Sequence, residues 1–356
     1  MADSFEAAEW RLGNRPFVVH EGVLGGILGQ AAYALSNDGA LVRLSREAGQ
    51  ALLSSTLLWV DRAGSTRPVF NDGSSGWVQP AFSPSGQRLA LVREFPSGGA
   101  NLWALDLASG RVTPIDHDPD QLSVWPVWSP DGNWIAAVAS RHGGQWNVYR
   151  WRADGSGEYQ RLTFNEEVRQ APTSWSIQDV IAFEQGSIGQ RDIWLLSFGD
   201  DGDPLEPQPL LVDGRFHERG GKFSPDGKWI AFTSDRSNQD EIWVKAVRGE
   251  DAPEQVSIGG GREPVWSRDG TELFYRSGDR MMAVAVAHGP TLEFGTPELL
   301  FTGSYTYGFS DWSFNYDVSL DADRFVMVQE PPASQRRLQV FLNWSGELER
   351  LASNGQ

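Results

Sequence analysis

"KFSPDGKWIAFTSDRSNQDEIWV", residues 222–244, runs apolar, turn, apolar, polar, apolar, and nearly the same phrase returns elsewhere in the chain. Related wording stands at "AFSPSGQRLALV" (81–92), "VWSPDGNWIAAVAS" (127–140) and "VWSRDGTELFYRS" (265–277). A phrase that returns at a steady interval marks a structural unit repeated in space, so its period decides the fold. The Ser that closes each first apolar run measures that period. It falls at Ser36, Ser83, Ser129, Ser176, Ser224, Ser267 and Ser319, with spacings between 43 and 52 residues.

Around each Ser the same four parts recur. A short strand such as "QPAFS" or "WPVWS" leads into a tight turn: "NDG", "PSG", "PDG", "RDG" or "LDAD". Asp and Gly suit that turn because it needs local side-chain hydrogen bonds and residues that tolerate positive φ. A β-rich strand follows, then a polar loop, then a third strand with Trp or Tyr in matched register, as in "NLWALDL", "RDIWLLS" and "DEIWVKA". A more polar fourth strand, such as "YQRLTF" or "PELLF", ends most units. Four antiparallel strands per roughly 40–50 residues is the pattern of a propeller blade. Because each blade packs on both faces, its inner strands read as nearly continuous apolar runs. Phe82, Trp128, Trp175, Phe223 and Trp266 hold one equivalent position, and core packing between blades accounts for them better than a ligand-stacking row. The unit closed by Ser176 lacks the Gly and has a shortened turn, so its hairpin should be irregular.

The fold expected is therefore all-β: a β-propeller of seven four-stranded antiparallel blades, with six as the alternative, in one domain over 1–356. Residues 1–19 align with 282–301, both running from Met-Ala to a Gly/Pro turn and an apolar strand. On that basis the last unit takes strands at 315–319, 324–329 and 336–343, and the segment 1–20 supplies its outer strand through residues 15–19. Closure of this kind removes exposed sheet edges. Residues 345–356 read as a short helical or frayed tail.

Composition narrows the function. Thirty Lys+Arg against 47 Asp+Glu leave a formal charge of −17, which repels phosphate backbones and anionic lipid and argues against a nucleic-acid partner. No Cys is present, which excludes disulfides, thiolate metal sites and a cysteine nucleophile. No stretch reaches the ~18 apolar residues that would span a membrane, and the N-terminus lacks the pattern of a secretion signal. A monomer is expected.

The phrases "FSPDGKWIAFTSDR" and "VWSPDGNWIAAVAS" resemble the repeat of TolB-like propellers, which tricorn-type and prolyl-oligopeptidase-type propellers share. "LLWVDRAGSTRPVF", "GGGREPVWSRDGTELFYRSGDRMMAVAV" and "LQVFLNWSGELERL" are similar, more narrowly, to the C-terminal propeller region of bacterial serine/threonine kinases and related regulators. That resemblance implies a sensor or interaction module, placed outside the cytoplasm or in the periplasm, and brings no catalytic residues. The kinase elements themselves are missing: there is no Gly-rich loop, His-Arg-Asp loop or Asp-Phe-Gly.

Catalytic patterns are scarce. The strings "DGSSGW" (72–77) and "DGSGEY" (154–159) do not make a Gly-x-Ser-x-Gly elbow. The five His, at 20, 117, 142, 217 and 288, form no metal-ligand pair. "DHDPDQ" (116–121) alternates carboxylates but lacks the rest of an EF-hand loop, and reads better as a solvated acidic loop. The working surface of a propeller is generally the ring of residues before each first strand. Here those are Gln79, Trp125, Arg169, Gln170, His217, Glu218, Arg219, Arg262, Glu263 and Asn315. Glu218 beside Arg219 and Arg262 beside Glu263 suit mutual salt bridges of little net stability, or else a rim that binds a peptide or small polar ligand. Two functions follow. One is a non-catalytic module that binds a protein or peptide at the channel mouth without a cofactor, with Ca2+ in the central channel as an option. The other is a lactonase-like metal-assisted hydrolase or a polysaccharide lyase, with Glu218, Glu263 and His217 at the mouth.

Overall fold

The recurring Ser and Asp lock four of the turns in the same way. The Ser hydroxyl donates to the carboxylate two residues on, from Ser129 to Asp131 at 2.5 Å, Ser224 to Asp226 at 2.6 Å, Ser267 to Asp269 at 2.7 Å and Ser319 to Asp321 at 2.5 Å. The same hydroxyl oxygen accepts the N–H that opens the next strand, from Trp134, Trp229, Glu272 and Arg324 at 2.9–3.1 Å. These bonds hold the Asp269 and Asp321 carboxyls below their usual range. Gly132 and Gly227 sit at φ 72° and 69°, left-handed backbone that an L side chain resists. In the unit closed by Ser176 the turn is one residue shorter, with Val180 rather than a fifth residue accepting from Ser176. Asp179 takes the left-handed place there, at φ 59°.

The computed structural model describes residues 5–6, 11–12, 33–36, 40–45, 55–70, 76–95, 99–116, 118, 121–141, 145–187, 189–289, 291–307, 314–329 and 337–344. They fall into two compact units, the larger running over 55–94 and 99–330. It is an all-β propeller in which the described residues form six antiparallel groups of four strands. A parallel bridge between Leu122 and Ala100 joins the first two into one eight-stranded sheet, and the fifth carries an added strand, Leu292–Phe294. The first sheet is Trp77–Phe82, Arg88–Glu94, Ala100–Asp106 and Val112–Pro114. The second is Leu122–Trp128, Trp134–Ser140, Asn147–Arg152 and Gln160–Arg161. The third is Arg169–Trp175, Ile181–Ser187, Gln190–Leu196 and Gln208–Leu211. Glu218–Phe223, Trp229–Ser234, Glu241–Ala246 and Glu254–Gln255 make the fourth. The fifth is Arg262–Trp266, Glu272–Ser277, Arg280–His288 and Glu298–Thr302. The sixth joins Tyr316–Val318 and Arg324–Gln329 to Thr56–Asp61 and Thr66–Pro68 from the other end of the chain.

The core lies in the seams between sheets, which is why both faces of the middle strands are apolar. Ala182 and Ile193 of the third sheet pack with Ile230 and Phe232 of the fourth. Phe274 of the fifth meets Phe325 of the sixth edge-on, with ring centroids 5.2 Å apart.

The last repeat departs from its expected composition. Residues 336–343 were expected as its third strand, but Thr56–Asp61 fills that place, with Phe325 opposite Val60 and Met327 opposite Leu58. Leu57, Leu58, Trp59 and Val60 are all buried there, and Arg62 reaches across to Glu272 with two hydrogen bonds of 2.8 and 3.0 Å. Arg337–Phe341 instead pairs with Leu41–Ser45 in the smaller unit, where Tyr33–Leu35 completes a three-stranded sheet. Val340 of this strand and the neighbouring Leu342 are 54% and 81% exposed. Phe5–Glu6 pairs with Arg11–Leu12. The closing strand expected at residues 15–19, and the tail 345–356, lie outside the described residues.

Candidate functional site

The inner strand of each of the first five sheets breaks register near its start, between Val78 and Ala81, Val124 and Val127, Pro172 and Ser174, Arg219 and Lys222, and Arg262 and Val265. A β-bulge of this kind re-aims side chains and frees backbone groups from the ladder. Gln79, Trp125, Gly220 and Glu263 take left-handed backbone there, at φ 55–63°. The freed N–H groups are taken up by the sheet next door. Gln79 donates its N–H to Asn315 Oδ1 at 3.0 Å, Trp125 to Gln79 Oε1 at 2.8 Å, and Gly220 to Glu184 Oε1 at 2.5 Å. At Gly220 a Cβ would sit 3.0 Å from the Phe314 ring, a tight approach that glycine avoids.

Eight of the ten rim residues singled out in the sequence are therefore buried: Gln79, Trp125, Gln170, His217, Glu218, Arg219, Glu263 and Asn315. The Gln170 amide donates to Gln185 at 2.6 Å, and the His217 N–H donates to Asp235 at 2.9 Å. Arg169 lies over Trp146, which in turn packs edge-on against Trp125. Each of these charged neighbours has a partner on another element. Glu218 pairs with Arg236, Arg219 and Arg262 both pair with Asp240, and Glu263 lies 3.7 Å from Arg276. Successive residues on a strand point to opposite faces, so adjacent charges seek partners on different elements. Glu218 and Glu263, the carboxylates on which the hydrolase or lyase reading depends, thus each face an arginine. Among the described residues no three His, Asp or Glu stand close enough together to share a metal ion. The acidic loop at 116–121 is also not simply solvated, because Asp116 is buried, accepts from the Ser123 hydroxyl and pairs with Arg141 at 2.5 Å.

Burial pushes the Glu218 carboxyl up to about 7, against the pull of Arg236. Between roughly pH 4.5 and 7 the folded chain then holds a proton that the unfolded chain has released. This group's stabilising contribution is full below about 4.5 and is lost as pH rises through about 7, up to ~3 kcal/mol. Burial pushes Glu94 to about 7 as well, so two groups titrate in one window. Urea unfolding of Glu218→Gln at pH 5 and pH 7.5 should show a clearly smaller fall in stability than wild type, since Glu94 and other buried carboxyls keep their share. An unchanged pH slope would remove Glu218 from that account.

The open feature of the rim is a cleft of about 660 Å³ between the fourth and fifth sheets. One wall is the backbone of Gly259, Gly260 and Gly261, the other is Ser277 to Arg280, and Arg262, Arg276 and Tyr307 close its ends. The glycine loop wraps the buried Glu241, whose Oε1 accepts the N–H groups of Gly259 and Gly260 at 2.9 Å each. Arg276 is locked by the Thr306 and Tyr305 carbonyls, both at 2.8 Å, and lies 3.9 Å above the Tyr307 ring. Arg262 and Arg280 are the exposed cations, and Arg280 bonds only to Ser277 among the described residues. Ile258, at the lip of the glycine loop, is 82% exposed. Of these groups only Arg262 was picked out from the sequence. Arg280 belongs to a hairpin after the second strand, where an inventory of first-strand starts does not look.

Comparison with solved structures places the fold. A protein assigned as TolB from Agrobacterium tumefaciens superposes with a TM-score of 0.60 at 22% identity, over 79% of this chain and 99% of that one. TolB from Acinetobacter baumannii gives 0.51 at 18% identity, over 79% of this chain and 65% of that one. In sequence, 203 residues are 27% identical to the uncharacterized peptidase YuxL of Bacillus subtilis (strain 168), covering 46% of this chain. A further 117 residues are 30% identical to the Tol-Pal system protein TolB of Anaeromyxobacter dehalogenans (strain 2CP-C), covering 33% of it. The chain spans only 30% and 26% of the length of these two curated relatives. No protein-family profile matches the chain. The fold is that of a TolB-like propeller. Among the described residues no helix is long and apolar enough to cross a membrane.

Proposed function

We propose that the chain is a binding module that takes a segment of another polypeptide into the rim cleft between the fourth and fifth sheets. The observation that supports this reading is the joint presence in its lining of exposed Gly259, part-exposed Gly260 and two exposed guanidinium groups, with the exposed Ile258 next to Gly259 in the chain. Glycines let a second main chain approach closely, and a cleft of several hundred Å³ suits a few residues of peptide. Arg262 and Arg280 suit a carboxylate, from an acidic side chain or a chain terminus, in forked geometry. Three arginines against Asp240 and Asp279 leave the lining at about +1 in a protein of charge −17, and Arg280 in particular favours an acidic segment over a basic one at this spot. A sensor role behind a kinase or related regulator, and a place outside the cytoplasm, belong to the same reading.

Selection from a displayed random-peptide library, followed by calorimetry with the winning peptide, tests it. Charge-assisted hydrogen bonds contribute about 1.5–3 kcal/mol, so Arg262→Glu and Arg280→Glu should each weaken binding about tenfold or more. Selected peptides should carry a carboxylate next to an apolar residue. If both variants bound like wild type, the cleft would not be the site.

A further inference from the structure

Inner strands of five of the six sheets meet around a second, smaller pocket, in the central channel of the larger unit. Pro80, Pro126 and Pro172 give it apolar walls, and two opposite charges line it, Lys222 and Asp317. The Lys222 ammonium lies 4.3 Å from the centroid of the Phe314 ring, and no carboxylate stands within ion-pair distance of it among the described residues. Asp317 is held still by the N–H groups of Phe82 at 2.7 Å and Val318 at 2.8 Å, one on each oxygen. Each carboxylate oxygen keeps a further lone pair. Burial holds the Lys222 ammonium below its usual range and the Asp317 carboxyl above its own, while each favours the other's charged form. The remaining carboxylates felt by Lys222, Glu184 and Glu263, face Arg191 and Arg276.

A cation and an anion that share an enclosed space without touching leave a gap of definite chemistry. Its complement carries a carboxylate at one end and an ammonium at the other. The pocket offers about 40 Å³ of usable space, which at roughly 10–15 Å³ per water is room for about three waters, or for a molecule of about five heavy atoms. We propose that the channel pocket binds a small zwitterionic amino acid, the size of glycine or alanine, with its carboxylate on Lys222 and its ammonium on Asp317. A plain anion satisfies Lys222 but meets Asp317 as a like charge, and a plain cation fails in the opposite sense. The site does not use the rim cleft, so either reading can fail while the other stands.

The sequence makes the test clean. The chain has three lysines, Lys222, Lys228 and Lys245, so acetylation by acetic anhydride can be followed site by site by mass spectrometry. Lys228 is exposed and pairs with Asp226 at 3.5 Å, and Lys245 bonds to the Gly249 carbonyl at 3.1 Å, so both serve as references. Because glycine and methylamine themselves consume anhydride, protection is read as the Lys222-to-Lys228 acetylation ratio within each sample, and saturating glycine should lower that ratio about tenfold or more. Acetate or methylamine at the same concentration should protect far less. In Asp317→Asn, checked for folding by circular dichroism, protection by glycine should drop to the level of acetate. The glycine-against-acetate comparison on the wild-type chain stands whether or not that variant folds. Equal protection by acetate would mean a simple anion site and overturns the proposal. So would a lack of protection by glycine, or a Lys222 that resists acetylation even without ligand, since that channel would be closed to small molecules.

Discussion

Arg191→Met should destabilise the propeller by about 3–5 kcal/mol, the range for breaking a buried ion pair from one side. Arg191 and Glu184 lie on neighbouring strands of the third sheet, 3.0 Å apart, each with its side chain 1% exposed. Glu184 also accepts the N–H of Gly220, the bond that ties the third sheet to the fourth at the bulge. Burial alone would raise this carboxyl, and Arg191 is the first-ranked influence that pulls it back. Without the guanidinium, the carboxylate in the seam keeps only the weaker pull of Arg219 and the Gly220 N–H. Methionine fills much of the volume, so the loss reports charge more than cavity. Urea unfolding should show a lower midpoint with an unchanged slope. The double variant Glu184→Gln, Arg191→Met should recover part of the loss, because Gln still accepts from Gly220 but needs no counter-charge. A single variant within 1 kcal/mol of wild type would mean that water reaches this seam and the pair is not buried in solution.

Trp128→Ala should cost a similar amount, about 3–5 kcal/mol. Trp128 is 7% exposed, donates its indole N–H to the Ala81 carbonyl at 2.9 Å, and carries the Arg88 guanidinium 5.2 Å above its ring. It therefore joins the second sheet to the first by packing and by a hydrogen bond together. Trp266 does the same between the fifth sheet and the fourth, through the Lys222 carbonyl at 3.0 Å. Trp175 holds the equivalent place in the third sheet but donates to Asp179 in its own turn, at 2.7 Å, and is only half-buried. The seam after it is stitched by the Ser174 hydroxyl, which donates to the Gly221 carbonyl and accepts from Phe223. Trp175→Ala should accordingly cost clearly less than Trp128→Ala. Trp128→Phe, which keeps most of the ring but loses the donor, should fall between them. Equal losses at 128 and 175 would show that ring volume alone matters.

These cases mark how far reading along the chain carries. The Ser–x–Asp–Gly turn is local, spanning five residues and held by side chains two apart, so its chemistry is visible in any stretch that contains it. The equivalent aromatics were legible for the same reason, because a repeat places like residues in like surroundings. The rim was harder. Position before a first strand singled out Gln79, Trp125 and Asn315, but the hydrogen bonds they make between sheets depend on bulges that bring together residues 46 or more apart in sequence. The exposed cation Arg280 was missed because it opens the third strand of its sheet, and the glycine wall, although it directly precedes Arg262, because glycine carries no side chain to mark it.

The chain's own order of residues determined the sheet as the building material, the length of the unit, the turn chemistry and the apolar faces that must be covered. Each of these follows from forces acting within a few residues or from a periodicity that any single copy displays. Tertiary structure alone decided which strand completes the sixth sheet, which arginine answers which carboxylate, and that a lysine and an aspartate 95 residues apart share one pocket. Those outcomes rest on competition for burial and on desolvation of charge, and both depend on what arrives from elsewhere in the chain.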